Sequence, residues 1–301
     1  MTRDTSIALY RAPRNRRSWL FLPGADAQAL RAAPALGVDV AIQELEAFVP
    51  SARQPEARAL SAGVLARWRA AGLVSAVRVN PLDKGGLDDL AAAMPGAPHV
   101  VMMSLVSSAD QVHALAAEVG RLEAAYGLPA GSTELVPNIE TAAGLVRTLE
   151  IAQASPRVTA ALVAAEDMVA DLGAERSPTG EELAYPRQRF LVDCVAAGVV
   201  AIDCPYTYAD VTHLEADIRF ARRLGYTAKS IVNIDQIPLV NRLLTPAADE
   251  IDRARRIVSA FDRARQSGAD RAEVDGLMVE VPTYNAAQRL LQRARDLGVQ
   301  D

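Results

Sequence analysis

LVPNIETAAGLVRTLEIAQASPRVTAALVAAEDMVADLG, residues 135–173, is the stretch whose reading decides the fold. Two apolar runs, over 134–139 and 158–164, end on carboxylates: Glu140 in the first, the pair Glu166 and Asp167 in the second. Between them residues 142–154 have helical spacing, which gives strand, acid, helix, strand, acid. Strands joined through a helix are expected to be parallel neighbours whose carboxyl-terminal ends lie side by side. Glu140 and Asp167 are then placed to share one cation on the rim of an α/β barrel. Either acid alone reads equally well as a helix-start residue, since carboxylates suit helix N-termini. The matched pair favours the metal.

The alternation extends in both directions. SWLFLPG from Ser18 and a helix over 26–35 come first; VDVAIQELEAFVP, 38–50, is a buried strand ending in the acids Glu44 and Glu46. A helix over 54–71 leads to LVSAVRVNP, 73–81, whose end carries Arg78 and Asn80. A charge where a β-branched run stops is a poor core residue and is better explained by a ligand. A helix over 88–94, a strand over 99–105 and a helix over 110–125 lead to the opening stretch. Beyond it come a helix over 181–197, a strand ending at Asp203, a helix over 214–224 and a strand over 228–234. Eight strands alternating with helices predict an α/β fold, a TIM (β/α)8 barrel over 17–245. The lead-in, 1–16, reads as irregular, its arginines as a solvated tail. Residues 246–301 change character, with a highly charged helix over 247–266, then EVDGLMVEVP, then a helix over 284–297. They are expected to form a C-terminal helical extension covering a barrel rim, that of a neighbouring subunit.

Composition narrows the function. The 301-residue chain is half hydrophobic and carries 32 Lys and Arg against 37 Asp and Glu, a net charge of −5. No basic stripe appears, so nucleic acid is not an expected partner. Cys194 and Cys204 lack paired spacing, which suits a reducing compartment. No apolar run approaches the roughly 18 residues that span a bilayer, and the first residues lack the apolar centre of a signal peptide. A cytoplasmic protein with no membrane partner is the expectation.

None of His99, His113 and His213 falls at a strand end, which argues against histidine acid–base catalysis and a His-rich zinc site. Gly-rich phosphate loops, Walker sequences and Gly-x-Ser-x-Gly elbows are absent from the sequence. The strand ends offer carboxylates, Arg78, Asn80 and Asn233. Such a set favours oxygen ligation of Mg²⁺, with Mn²⁺ as the variant, held by one or two carboxylates plus waters and substrate. A 2-oxo or 2-hydroxy acid chelates that metal, the cation polarises the carbonyl, and a guanidinium such as Arg78 neutralises developing charge. The implied reaction makes or breaks a carbon–carbon bond next to a carbonyl. Asp203 and Asp275 stand as further candidate acids.

At these residues the chain resembles the HpcH/HpaI aldolase family, most closely its citrate lyase beta-subunit-like branch, which includes malyl-CoA and citramalyl-CoA lyases. The resemblance spans about residues 17–297 and rests on RSWLFLPGAD, VRVNPLD, IETAAGL, AAEDMVADLGA, AIDCPY, LTPAADEIDRARRI and DGLMVEVP in collinear order. It implies that Glu140 and Asp167 bind Mg²⁺ and that Arg78 contacts the substrate, with Asn80 and Glu46 beside it. It also implies that Glu280, in the MVE that stands for the family's M-I-D, serves the acid–base step from a neighbouring subunit. A trimer or hexamer is the implied assembly. The chain departs from the family pattern in three places. The D-L-E-D-A-V run appears as ELEAFV, with Glu44 for Asp and Ala47 for the last Asp. P-K-V-E appears as SLVS, with Ser104, Leu105 and Ser107, and I-H-P appears as VNI, with Asn233 for His. The metal centre reads as intact and the surroundings of the acyl partner as rebuilt. The expected function is a Mg²⁺-dependent lyase acting on a 3-hydroxyacyl-CoA such as malyl-CoA or citramalyl-CoA. The alternatives are an aldolase acting on a free 2-oxo or hydroxy acid, and a metabolite-binding subunit without turnover.

Overall fold

The computed structural model describes residues 11–209 and 211–299. Eight parallel strands follow one another in chain order around a closed barrel: β1 (Ser18–Pro23), β2 (Val40–Glu44), β3 (Val74–Val79), β4 (Val100–Met103), β5 (Glu134–Ile139), β6 (Ala160–Val163), β7 (Val200–Asp203) and β8 (Ala228–Ile231). The ring closes where Ser18 and Leu20 of β1 pair with Lys229 and Ile231 of β8. Around it run α1 (Ala27–Ala32), α2 (Gln54–Ala70), α3 (Gly86–Ala93), α4 (Ala109–Ala125), α5 (Ala142–Leu145), α6 (Thr148–Gln153), α7 (Glu166–Leu172), α8 (Ala184–Ala197), α9 (Leu214–Leu224) and α10 (Ile237–Leu243). Among the described residues no helix is long and apolar enough to cross a membrane.

Alternate residues of each strand fill the barrel. Trp19 and Phe21 enter from β1, Val40 and Ile42 from β2, Val136 from β5, and Ala160, Leu162 and Ala228 from β6 and β8. Bulky and small side chains mix in this core, which lets a closed barrel fill its interior. The same alternation sends Glu44, Arg78 and Glu140 inward, two residues beyond the core residues Ile42 and Ala76 and four beyond Val136.

Two expectations are corrected. Residues 142–154 are two short helices, because the Thr148 hydroxyl donates to the carbonyls of Gly144 and Leu145 and ends the first turn early. Gly144 is needed there, since a Cβ at that position would lie 2.6 Å from the Val106 carbonyl oxygen. Two arginines read as part of a solvated tail are not: Arg16 is fully buried and grips Glu134 of β5 with two bonds of 2.7 Å, and Arg17 pairs with Asp39. An inward carboxylate at the amino-terminal end of a strand needs such a partner. Residues 1–10 of the lead-in lie outside the described residues.

A second compact unit begins at Arg242. In it α11 (Ala248–Gln266) and α12 (Val281–Asp296) pack with a hairpin of β9 (Ala272–Val274) and β10 (Leu277–Val279) around Ile257, Phe261, Val274 and Val279. The hairpin turns on Asp275 and Gly276, both at positive φ (53° and 75°), the pairing that a tight two-residue turn requires.

Candidate active site

The carboxyl-terminal ends of β2, β3 and β5 bring one guanidinium among three carboxylates. Arg78 donates through Nε to Glu44, pairs through Nη2 with Glu46 at 3.2 Å, and reaches Glu140 Oε1 through Nη1 at 3.4 Å. Its Cζ lies 4.8 Å from the ring centre of Phe21 and 5.9 Å from that of Phe48, and the two rings meet edge to face. Burial works against the charge on Arg78, but Glu44, Glu140 and Glu46 outweigh it and raise its pKa.

Glu140 is not a helix cap. Thr141 caps α5, its hydroxyl accepting the Gly144 N–H at 3.1 Å, and the Glu140 carboxylate turns inward. Its Oε2 accepts the Leu105 N–H at 3.0 Å, a donor aimed there by a left-handed Leu105 backbone, φ 55°. Its Oε1 takes the Asn138 amide at 3.4 Å. Burial pushes the Glu140 carboxyl up to about 7, Arg78 opposes that, and the charges of Asp167 and Glu46 add to it.

Asp167 lies in the first turn of α7, exposed, and among the described residues no group hydrogen-bonds its carboxylate. Its neighbour Glu166 is already engaged, by Arg176 at 3.1 Å and Thr207 at 2.5 Å. Of the two adjacent acids, Asp167 is therefore the one left to face Glu140.

A hard divalent cation fits these residues. Glu140 is pushed up chiefly by burial and further by the charges of Asp167 and Glu46, Asp167 is uncommitted, and Asn138 Oδ1 is buried with no partner among the described residues. Oxygen donors with an excess of negative charge are what Mg²⁺ and its waters take up. Among the described residues no three His, Cys, Asp or Glu side chains gather as a ready metal cage. That leaves the sparse two-carboxylate arrangement that Mg²⁺ commonly accepts.

The remaining candidates are placed as follows. Asn80 spends its amide hydrogens on the Leu45 carbonyl and on Asp89, bracing the end of β3. Asn233 caps the turn after β8 by accepting the Asp235 N–H. Asp203 points outward from β7, and Arg187 holds it with two 2.8 Å bonds. Asp275 sits in the hairpin turn and pairs with Arg256 at 2.8 Å. Glu280 is exposed, at the residue before α12 in the C-terminal unit. Sequence reasoning missed Asn138, the backbone N–H of Leu105 and the flanking pair Phe21 and Phe48. Asn138 was within reach, because Val136, Asn138 and Glu140 alternate along one face of β5.

Comparison with known proteins shows which family carries this barrel. The citrate lyase subunit beta of Escherichia coli K12 is 34% identical over 97% of both chains. The mitochondrial citramalyl-CoA lyase of Rattus norvegicus is 27% identical over 94% of this chain and 87% of its own. The protein CitE of Mycobacterium tuberculosis, solved with magnesium, acetoacetate and coenzyme A, superposes with a TM-score of 0.75 at 28% identity, covering 94% of this chain and 99% of that one. The family model described as HpcH/HpaI aldolase/citrate lyase matches residues 17–234, from β1 to just past β8, and the chain belongs to that family.

Proposed function

We propose that this chain is a Mg²⁺-dependent carbon–carbon lyase that cleaves, or in reverse condenses, a 3-hydroxyacyl-CoA of the malyl-CoA or citramalyl-CoA type. The observation that carries the reading is the meeting of Arg78 with Glu140 at the barrel rim, with the charge of Asp167 felt at Glu140. Glu140 and Asp167 would hold the metal, which when bound supplies chelation of the 2-hydroxy carboxylate end and Lewis-acid polarisation. A base takes the hydroxyl proton, the carbon–carbon bond breaks, and its electron pair moves onto the thioester carbonyl as an enolate. The terminal nitrogens of Arg78, beside the rings of Phe21 and Phe48, neutralise that oxygen and the carboxylate of the 2-hydroxy acid half, which pyruvate retains. The enolate carbon then takes a proton and leaves as acetyl-CoA. Relatives named citrate lyase subunit beta and citramalyl-CoA lyase, and a relative crystallised with magnesium, acetoacetate and coenzyme A, support the choice of substrate class.

Glu280 is the proposed acid–base residue, acting across a subunit contact in a trimer or hexamer. Glu280→Gln should lower turnover by about 10²–10⁴ without weakening Mg²⁺ binding. Mixing inactive Glu280→Gln and Glu140→Gln subunits should restore part of the activity, whereas a base acting within its own subunit would restore none.

The deciding assay is incubation with malyl-CoA and citramalyl-CoA. Release of acetyl-CoA, stopped by a chelator and restored by Mg²⁺, is expected; no release from any such thioester overturns the reading.

A further inference from the structure

We propose that Glu44 is a positioning residue for Arg78, gripping the guanidinium from inside the barrel so that its terminal nitrogens face the substrate. The proposal rests on the reading of Arg78 as the substrate contact and adds a residue whose work is to aim it.

Glu44 is the last residue of β2, fully buried, and stands in register beside Arg78 of β3. Its own place is locked by the chain. Oε1 accepts the backbone N–H groups of Glu46 and Ala47, so the turn after β2 folds over the carboxylate. Oε2 takes the Nε–H of Arg78. Both Glu44 oxygens are thus spent on the chain's own donors, the backbone of the turn and Arg78. Glu46 is more exposed and makes one ion pair to the same guanidinium.

A free arginine side chain samples many rotamers. Here Nε is tied to Glu44 and the guanidinium lies close to Phe21 and Phe48, so little of that freedom remains. A guanidinium has five N–H donors. Fixing Nε leaves donors on both terminal nitrogens, at the edge where Glu140 already sits. Preorganisation of this kind is what makes an electrostatic contact effective in the transition state.

The test uses the full-length protein and two readouts. The first is the ¹⁵N-resolved Nε–H signal of Arg78, assigned by its disappearance in Arg78→Lys. It should be sharp and slow to exchange in the wild type, and broadened or lost in Glu44→Ala. Glu44→Gln, which keeps the volume should the alanine variant not fold, should shift it and speed its exchange. The second is calorimetric titration with Mg²⁺ alone and then with pyruvate. Glu44→Ala should weaken pyruvate binding at least tenfold, the size of one charged hydrogen bond, and leave Mg²⁺ affinity within twofold. The double variant Glu44→Ala/Arg78→Lys should bind pyruvate no more weakly than Arg78→Lys alone. An Arg78 signal unchanged in both Glu44 variants overturns the proposal, as does a pyruvate loss that adds in full to that of Arg78→Lys. A wild type that binds no pyruvate with Mg²⁺ would count against the lyase reading, while the Arg78 signal still decides the role of Glu44.

Discussion

Two buried charge clusters lie on opposite faces of the same barrel wall, and their bookkeeping differs. Outside β7 and β8, Arg187 and Lys229 face Asp203 and Asp217: Arg187 grips Asp203 at 2.8 Å and Asp217 at 2.7 Å, and Lys229 reaches both acids at 2.7 Å. Two cations answer two anions, and the Cys204 carbonyl takes a further Lys229 hydrogen at 2.6 Å. Inside, at the ends of β2, β3 and β5, a single guanidinium answers Glu44, Glu46 and Glu140. The titration behaviour divides the same way. Burial tends to raise the Asp217 carboxyl, but Lys229 and Arg187 hold it below its ordinary range; at the rim burial wins, and Glu44 and Glu140 are pushed up. A cluster that cancels its own charge fastens elements together. One that leaves carboxylates over has charge to offer a cation, as the proposed function requires.

The comparison is broken most severely by attacking the balanced cluster. Asp203→Ala leaves Asp217 alone to answer the buried Arg187 and Lys229 and should destabilise the fold by about 3–5 kcal/mol, read as a lowered urea midpoint. Below its unfolding transition the variant should still bind Mg²⁺ and ligand. Loss of metal binding in a variant of wild-type stability would erase the distinction between the clusters. The converse change, Arg78→Ala, should lower turnover by about 10²–10³ while Mg²⁺ affinity holds. A variant that loses stability and keeps turnover would mark the rim cluster as structural too.

The barrel was legible because its strands are short apolar runs that stop on punctuating residues, and α9, with apolar residues confined to one stripe, falls at 214–224 as read. The hairpin in 272–279 also carries a sequence signal, Asp-Gly between short apolar runs, although the charged helices around it mask the period. The break between α5 and α6 carries no comparable signal, since it depends on a close approach of Gly144 to Val106 from another loop. The same limit applies at the site. Glu140, Asp167 and Arg78 are visible as charges at strand ends, where chain order puts them on one rim and makes neighbours of the strands before Glu140 and Asp167. That Glu44 serves Arg78, that Arg16 plugs the opposite end against Glu134, and that the Leu105 N–H turns to Glu140 are facts of register and backbone angle. Residues read as solvated or merely altered in sequence acquire partners only once the wall closes.

A smaller effect sharpens the contrast by supplying the missing charge. Mg²⁺ at a hundred times its dissociation constant should stabilise the chain by about 2.7 kcal/mol, seen as a raised unfolding temperature. Asp167→Asn should remove most of that gain without changing the metal-free stability by more than about 0.5 kcal/mol, because the side chain is exposed. An equal gain in Asp167→Asn would move the cation elsewhere.

The finest test concerns pH in the absence of metal. The Glu140 carboxyl titrates near 7 in the fold against 4.5 ordinarily, so between those values the folded chain holds a proton that the unfolded chain has released. Stability from this group therefore falls as pH rises from 4.5 to about 7 and is level above that. Glu140→Gln removes the ionisation, and should make the metal-free protein more stable at pH 8 by on the order of 1 kcal/mol, part of the burial penalty being returned as weaker bonds to Leu105 and Arg78. Urea midpoints from pH 5 to 8 in a chelator should fall more steeply for the wild type than for Glu140→Gln, and Mg²⁺ should remove the difference in slope. Parallel curves would mean that the rim already balances its charge as Arg187, Lys229, Asp203 and Asp217 do, and the case for a cation between Glu140 and Asp167 would go with it.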